Sequence, residues 1–325
     1  YDKWQFDESG RYALGMEVDF EHRSPVAADE IGLGLIDLEE GERWSELART
    51  RAWGWQQGCM LQWRPGAPRE VVWNDRDGDS FVCRVLDIES GHTRTLPRAI
   101  YSLSPDGQTA ICADFRRIQD MRPGYGYAGI ADPHAEKLAP EDGGIWRQDM
   151  ETGANELIVS VAEVAALPYP HGDISSAKHY FNHLLFSPAG ARFIFLHRWR
   201  FGTGGFHTRM LTAAVDGSDL RVVDDYGKTS HFIWRDPAHI LAWAWHPTAE
   251  DAFYLYGDGN GRAEAVGLGQ MRVNGHCAYL PGGEWVLNDT YPLGDARVQE
   301  LYLYHVETQR RVELAALHAL PAYSG

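Results

Sequence analysis

The chain has 325 residues and a mass of 36.6 kDa, enough to bury a large core. Its 44% hydrophobic and 23% charged residues are ordinary globular values, which excludes disorder and collagen-like structure, and no stretch approaches the ~20 apolar residues that span a bilayer. Thirty basic against 46 acidic residues give a net charge of -16, so nucleic acid and anionic membrane are excluded as bulk partners, although a local basic pocket remains able to hold an anion.

Domains of ~150 residues would make two of this length, but repetitive β folds exceed that size as one unit, and the chain reads as a single domain over 1–325. The four cysteines (Cys59, Cys83, Cys112, Cys277) are scattered with no CxxC pair and read as reduced, mostly buried thiols. Unpaired cysteines tilt slightly towards a cytoplasmic location. The chain begins at Tyr1 rather than Met, so it is silent on export. Twelve Trp, 15 Tyr and 12 Phe accompany 34 Gly and 14 His, a mixture that suits strands, turns and a cleft lined by rings.

A pattern of about 45–60 residues repeats along the chain, and such periods mean arrays or propellers. Each unit has an apolar strand, a Ser-Pro-Asp-Gly type turn, a second strand, a loop, a third strand, an Asp-x-Glu-x-Gly turn and a fourth strand. Six units are predicted, starting near residues 2, 56, 98, 180, 230 and 275. The first kind of turn is clearest at Ser104-Pro105-Asp106-Gly107 and Ser187-Pro188-Ala189-Gly190, with weaker copies at Asp7–Gly10, Arg64–Gly66, Asp236-Pro237 and Leu280–Gly283. The second kind runs through Asp37–Gly41, Asp87–Gly91 and Asp149–Gly153, then changes at Val215–Gly217 and Val306–Thr308. Proline presets φ, and Asp or Gly takes the left-handed position, so both are hairpin signals. Runs such as Arg192–Leu196 and Leu301–Tyr304 are strand-like. Four-stranded units at this spacing predict an all-β propeller with six blades visible. One short helix is expected around Val161 to Ala166, and irregular segments are expected over 115–143 and 166–180.

In a propeller the innermost strand starts, and the second strand ends, on the same face of the disc. Four residues before the first residue of the Ser-Pro type turn stand Lys3, Met60, Ile100, His183 and His276, with His231 five before on the assumption of one extra residue in that turn; nine after its second residue stand Glu17, Asn74, Asp114, His197 and His246, with Asp289 eight after. Three consecutive blades thus place histidine at one position. Clustered imidazoles suit zinc, manganese or iron. Cys277 and the pair Gln56-Gln57 lie near the same strand starts. The competing role for the histidines is hydrogen bonding to neighbouring blades. His197-Arg198-Trp199-Arg200 and the loop Arg116-Arg117 to Arg122-Pro123-Gly124-Tyr125-Gly126-Tyr127 gather five arginines near this rim. A guanidinium pairs bidentately with carboxylates; the competing roles are surface ion pairs for the arginines and loop packing for the tyrosines.

The segments NHLLFSPAGARFIFLHRWR (182–200), TSHFIWRDPAHILAW (229–243) and NGHCAYLPGGEWVLNDTYP (274–292), with RPGYGY (122–127), resemble propeller-type polysaccharide lyases of the oligogalacturonate lyase and ulvan lyase groups. The resemblance implies a seven-bladed propeller that cleaves uronate-containing oligo- or polysaccharides by β-elimination, and ulvan-lyase-like relatives tilt towards export. It implies a divalent metal (zinc, manganese or calcium) held by His183, His231 and His276, with Gln57 and Cys277 as further candidates. Arg198 matches the arginine that neutralises the uronate carboxylate. Asn182 stands where those enzymes carry a tyrosine, with Tyr180 two residues away.

Elimination removes a proton next to a carboxylate, which requires a cation to hold the charge, a base and an acid. The expected neutraliser is Arg198, supported by Arg122 or Arg117. The base is His183 or His197, and the acid is Tyr125, with Tyr180 or Tyr127 as substitutes. Substrate contacts are expected from Arg117, Tyr127, Arg200, Trp199, Asn182 and Asp289. Two alternatives stand beside this one: a non-catalytic TolB-like propeller that binds glycan or protein, and a glycoside hydrolase using two carboxylates among Asp114, Asp289, Glu17 and Asp19.

Overall fold

A computed structural model of the chain describes residues 3–320. Its strands form six antiparallel sheets, one per predicted repeat. The first has β1 (Tyr12–Glu17), β2 (Ile31–Asp37) and β3 (Arg43–Thr50), with a Phe6–Ala13 bridge on its inner side. The second has β4 (Gln62–Trp63), β5 (Glu70–Asp77), β6 (Ser80–Asp87) and β7 (Thr93–Leu96). The third has β8 (Ser102–Leu103), β9 (Thr109–Cys112), β10 (Gly144–Asp149) and β11 (Asn155–Ser160), with helices α1 (Phe115–Met121) and α2 (Val161–Ala165) attached. The fourth has β12 (Lys178–Phe186), β13 (Arg192–Arg200), β14 (Phe206–Ala214) and β15 (Arg221–Gly227). The fifth has β16 (Thr229–Asp236), β17 (His239–His246), β18 (Glu250–Gly257) and β19 (Ala263–Val266). The sixth has β20 (Ala278–Tyr279), β21 (Trp285–Asp289), β22 (Val298–His305) and β23 (Arg310–His318). This is a six-bladed propeller; the seventh blade that the resemblance implies has no counterpart among the described residues.

The turns explain why the repeat is visible in sequence. In each Asp-x-Glu-x-Gly copy the aspartate Oδ1 accepts two backbone N–H bonds from the residues two and three ahead, at 3.0 and 3.2 Å for Asp37, 3.0 and 2.9 Å for Asp87, and 2.9 and 2.7 Å for Asp149. In the last blade His305 Nδ1 takes that place and accepts from Thr308 N–H at 3.1 Å. At the other turn type, Gly107 has φ 68° and a Cβ there would lie 2.1 Å from the Pro65 carbonyl oxygen, so both conformation and the close approach of blade two require glycine.

Blades pack face to face through strand residues of alternating direction. Blades two to four share a large core that includes Ile111, Phe115, Tyr127, Phe181, Phe193 and Phe195, and Leu241, Phe253, Val286 and Tyr302 join blades five and six. All four cysteines are buried and unbonded, and burial pushes the Cys59, Cys112 and Cys277 thiols up to about 12.

The sequence assigned 115–143 to irregular structure, but residues 115–121 are helical. Asp114 is the cap: its side chain accepts from Arg116 N–H at 3.0 Å. The expected short helix is present as α2, capped by Ser160, whose hydroxyl accepts from Glu163 N–H at 3.0 Å.

Candidate functional site

The inner strands begin around one cavity of about 720 Å³. Lys3, Met60, His183, His231 and His276, all from the first rim position, line it. They meet because that position starts the strand nearest the axis in every blade. His183 reaches the cavity through a β-bulge: the β12/β13 register shifts between Asn182 and Leu185, and His183 has φ 53°. Met60, its counterpart in blade two, has φ 58°, so the two positions share one left-handed conformation.

Arg198 is a buried cation on the wall of the cavity. It is 4% exposed, and its Nε and Nη1 are buried without hydrogen-bond partners. No carboxylate lies within ion-pair distance of it among the described residues. Burial lowers its pKa from the usual value, the nearby Tyr180 hydroxyl opposes this, and the Arg122 cation reinforces it. A buried guanidinium without a counter-charge costs several kcal/mol, roughly the penalty for breaking a buried pair. Arg122 lines the same cavity; its Nη2 donates to the Tyr125 hydroxyl at 2.7 Å, and the Cζ atoms of Arg122 and Arg198 both lie 4.6 Å from the Phe206 ring centroid.

Burial holds the His183 and His231 imidazoles neutral, and each of the three cavity histidines has a hydrogen-bond partner. His183 is driven well below its ordinary value by burial, then by Arg198 and its neighbours. The Gln57 amide nitrogen lies 3.3 Å from His183 Nδ1 and 2.6 Å from the Tyr101 hydroxyl, which also accepts the His183 backbone N–H at 2.8 Å. The Tyr125 ring stands edge-on to His183 at 6.4 Å. His231 and His276 have ring centroids 4.2 Å apart. His231 Nδ1 bonds Asn274 Oδ1 at 3.0 Å, and burial lowers its pKa to about 4. His276 Nδ1 lies 2.9 Å from the Asp289 carboxylate; burial pushes Asp289 up, but hydrogen bonds from the His276 ring and backbone outweigh it and hold it below its ordinary value. Among the described residues no three His, Cys, Asp or Glu side chains are grouped so as to hold a metal ion. The imidazoles stand as the His231–His276 pair and His183, whose Nδ1 faces the Gln57 amide.

Several expected site residues stand elsewhere. Cys277 is fully buried among Val286, Tyr302 and Tyr304, because strand alternation turns it away from its neighbour His276. His197 is fully buried on the opposite side of β13 from Arg198, in a chain of bonds. Arg209 Nε donates to His197 Nδ1 at 2.9 Å, His197 Nε2 then donates to His179 Nδ1 at 2.8 Å, and His179 Nε2 donates to the Ile174 carbonyl at 3.1 Å. Each ring nitrogen is occupied, so His197 is not a base for a cavity ligand. Arg117 is also buried and spends its donors on Asp132 and the carbonyls of His134, Lys137, Leu138 and His179, pinning the long loop. Tyr127 stacks on Phe115 at 4.1 Å and its hydroxyl accepts from Asn74. Trp199 packs against Tyr169 and His207. Tyr180 pairs across the strands with Arg198 but is buried behind the cavity. Asn182 is fully buried with both amide atoms unpartnered, and Arg200, at the strand end, is outside the lining. Of the carboxylates weighed for hydrolysis, Asp289 alone lines the cavity; Asp114 is bound to Arg116.

Residues missed from sequence also line the wall, among them Tyr291, Asn274, Phe206 and Trp55. Tyr291 is half-exposed, with its ring 6.0 Å from His231 and 6.1 Å from His276. Asn274 and Tyr291 stand two residues from His276 and Asp289, in the irregular segments that flank β20 and β21, so closeness in sequence to those two rim residues was the available signal.

The buried histidines make stability pH-dependent. His179 and His231 have native pKa values of about 4, lowered first by burial, against 6.5 for an exposed imidazole. The unfolded chain therefore binds more protons between those values, so their contribution is intact above about pH 6.5 and is lost as pH falls towards 4, by ~1.4 kcal/mol per pH unit per histidine. Urea unfolding of His231→Asn should show a shallower loss between pH 6.5 and 5 than the wild type; equal slopes would contradict the burial assigned to His231.

No protein-family model and no curated protein sequence matches the chain. Solved structures do. Oligogalacturonate lyase from Vibrio parahaemolyticus aligns with a TM-score of 0.61 at 15% identity, over 97% of this chain and 77% of that one. A putative 6-phosphogluconolactonase from Bacteroides uniformis aligns at 0.50 and 14%, over 96% and 84%. Tricorn protease aligns at 0.53 and 10%, over 94% of this chain but 31% of that one. At such identities the likeness establishes the fold: the chain is a β-propeller, a class that serves several chemistries.

Proposed function

We propose that the protein is a polysaccharide lyase that cleaves uronate-containing oligo- or polysaccharides by β-elimination in the 720 Å³ cavity. The observation that carries this is Arg198, a cation buried against the cavity with two nitrogens unpartnered, beside a neutral imidazole. A uronate carboxylate supplies the missing counter-charge, and Arg198 then holds the negative charge that grows on that carboxylate as C5 loses its proton. His183 takes the C5 proton on Nε2, as the tautomer whose Nδ1–H faces the Gln57 side-chain amide, the electron pair forms the C4–C5 double bond, and the C4–O bond breaks. Tyr125, whose hydroxyl accepts from Arg122 and so keeps its own proton available, protonates the departing oxygen. No water is added. Asn274, Tyr291 and Trp55 provide the polar and ring surfaces that sugars use. No step is routed through a metal, since the donor residues described are not grouped for one.

A second reading, a propeller that binds acidic glycan without turnover, shares the Arg198 site and differs in the use of His183 and Tyr125. A screen of pectic, ulvan and glucuronan oligosaccharides for the ultraviolet absorbance of an unsaturated product separates them. The lyase gives a rising signal on at least one uronate substrate. Binding with no signal on any of them supports the second reading, and new reducing ends without the signal indicate hydrolysis.

A further inference from the structure

Two guanidinium groups meet in a separate cavity of about 280 Å³ between blades two and three. Arg98 is held from three directions. Its backbone N–H donates to Gln148 Oε1 at 3.0 Å, and its carbonyl accepts from Gln148 Nε2 at 3.2 Å, with Gln148 itself fully buried. Its Cζ lies 3.3 Å from the Trp146 ring centroid, and its Nε donates to Asn155 Oδ1 at 2.7 Å. The two terminal nitrogens have no protein partner among the described residues, and no carboxylate is in ion-pair range. The nearest acid is committed elsewhere: Asp114 takes Arg116 Nε at 2.9 Å and Nη2 at 2.8 Å, and caps α1. The cavity thus holds two positive groups and one negative group, in a chain of net charge -16.

A fixed, stacked guanidinium that keeps its forked end unpaired is preorganised for an oxyanion. We infer that this cavity is a second binding site, which takes the carboxylate or phosphate group of a small molecule on the Arg98 fork. Asn155 orients the fork, and Ser80 lies on the wall to bond the ligand. The site stands apart from the central cavity: Phe115 lines this cavity and stacks on Tyr101, which lines the other. Its occupancy is independent of the lyase proposal.

Isothermal titration with inorganic phosphate, and separately with acetate, tests the inference on the wild type, Arg98→Gln, Arg98→Lys and Arg198→Gln. Phosphate or acetate should bind a site that Arg98→Gln weakens by about ten- to a hundredfold, that Arg98→Lys weakens less, and that Arg198→Gln retains. The anion bound more tightly identifies the group the ligand carries. If Arg98→Gln unfolds, the lysine variant, which keeps the charge and the stem, carries the comparison. The inference fails if neither anion binds the wild type, if the Arg98 variants titrate like the wild type, or if Arg198→Gln alone abolishes binding.

Discussion

Arg198→Ala should reduce formation of the unsaturated product by about 10²–10³-fold, the usual cost of removing one group that stabilises developing negative charge. Its effect on stability should have the opposite sign. Arg198 is 4% exposed with Nε and Nη1 unpartnered, so the empty protein carries an uncompensated buried cation. Arg198→Met, which keeps much of the volume and removes the charge, should raise stability by ~1–4 kcal/mol, as buried charges replaced by apolar groups often do. Arg198→Lys keeps the charge but loses the planar fork and should fall between wild type and alanine in turnover. Parallel product assays and urea unfolding read both quantities. A methionine variant that loses stability along with activity would place Arg198 in the scaffold instead.

His183 carries the second large effect. Removing a general base costs about 10²–10⁴-fold, and both His183→Asn and His183→Ala should show that loss. They should differ in stability. The residue has φ 53°, a conformation that asparagine tolerates and alanine resists by ~1–2 kcal/mol. The asparagine variant should therefore fold like the wild type while remaining inactive. Burial and Arg198 hold the His183 pKa well below 6.5, so the imidazole stays neutral as pH falls past that value. The acid limb of kcat/KM should accordingly lie below pH 6.5. A limb at or above 6.5, or an active His183→Asn, would remove His183 from the base role.

The repeat was legible because its turns are local. An aspartate that accepts two N–H bonds and a glycine four residues on specify a hairpin with no reference to the rest of the chain. The first rim position was legible too, since any residue that opens the strand nearest the axis faces the centre: His183, His231 and His276 converge for that reason. The second rim position was legible only in part. The end of a second strand lies one strand farther out, so Asp289 lines the cavity while Asn74 bonds Tyr127 and His197 bonds Arg209 instead. At β13 the choice between His197 and Arg198 turned on strand direction, and alternation sends only Arg198 inward. Arg117 and Arg122 lie five residues apart, yet one pins a loop and the other reaches the cavity. That split depends on α1, which seven residues without a strong apolar period did not announce. Phe206 enters from the tip of the β13–β14 hairpin opposite Arg200, a contact fixed by register alone.

The masses of the fragments released from a defined uronate oligosaccharide test the central claim most directly. Elimination divides the substrate without adding anything, so the two fragments should sum to the mass of the parent, and one should carry the ultraviolet absorbance of a new double bond. Fragments that sum to the parent plus one water, or an oligosaccharide that binds and is recovered intact, would contradict it.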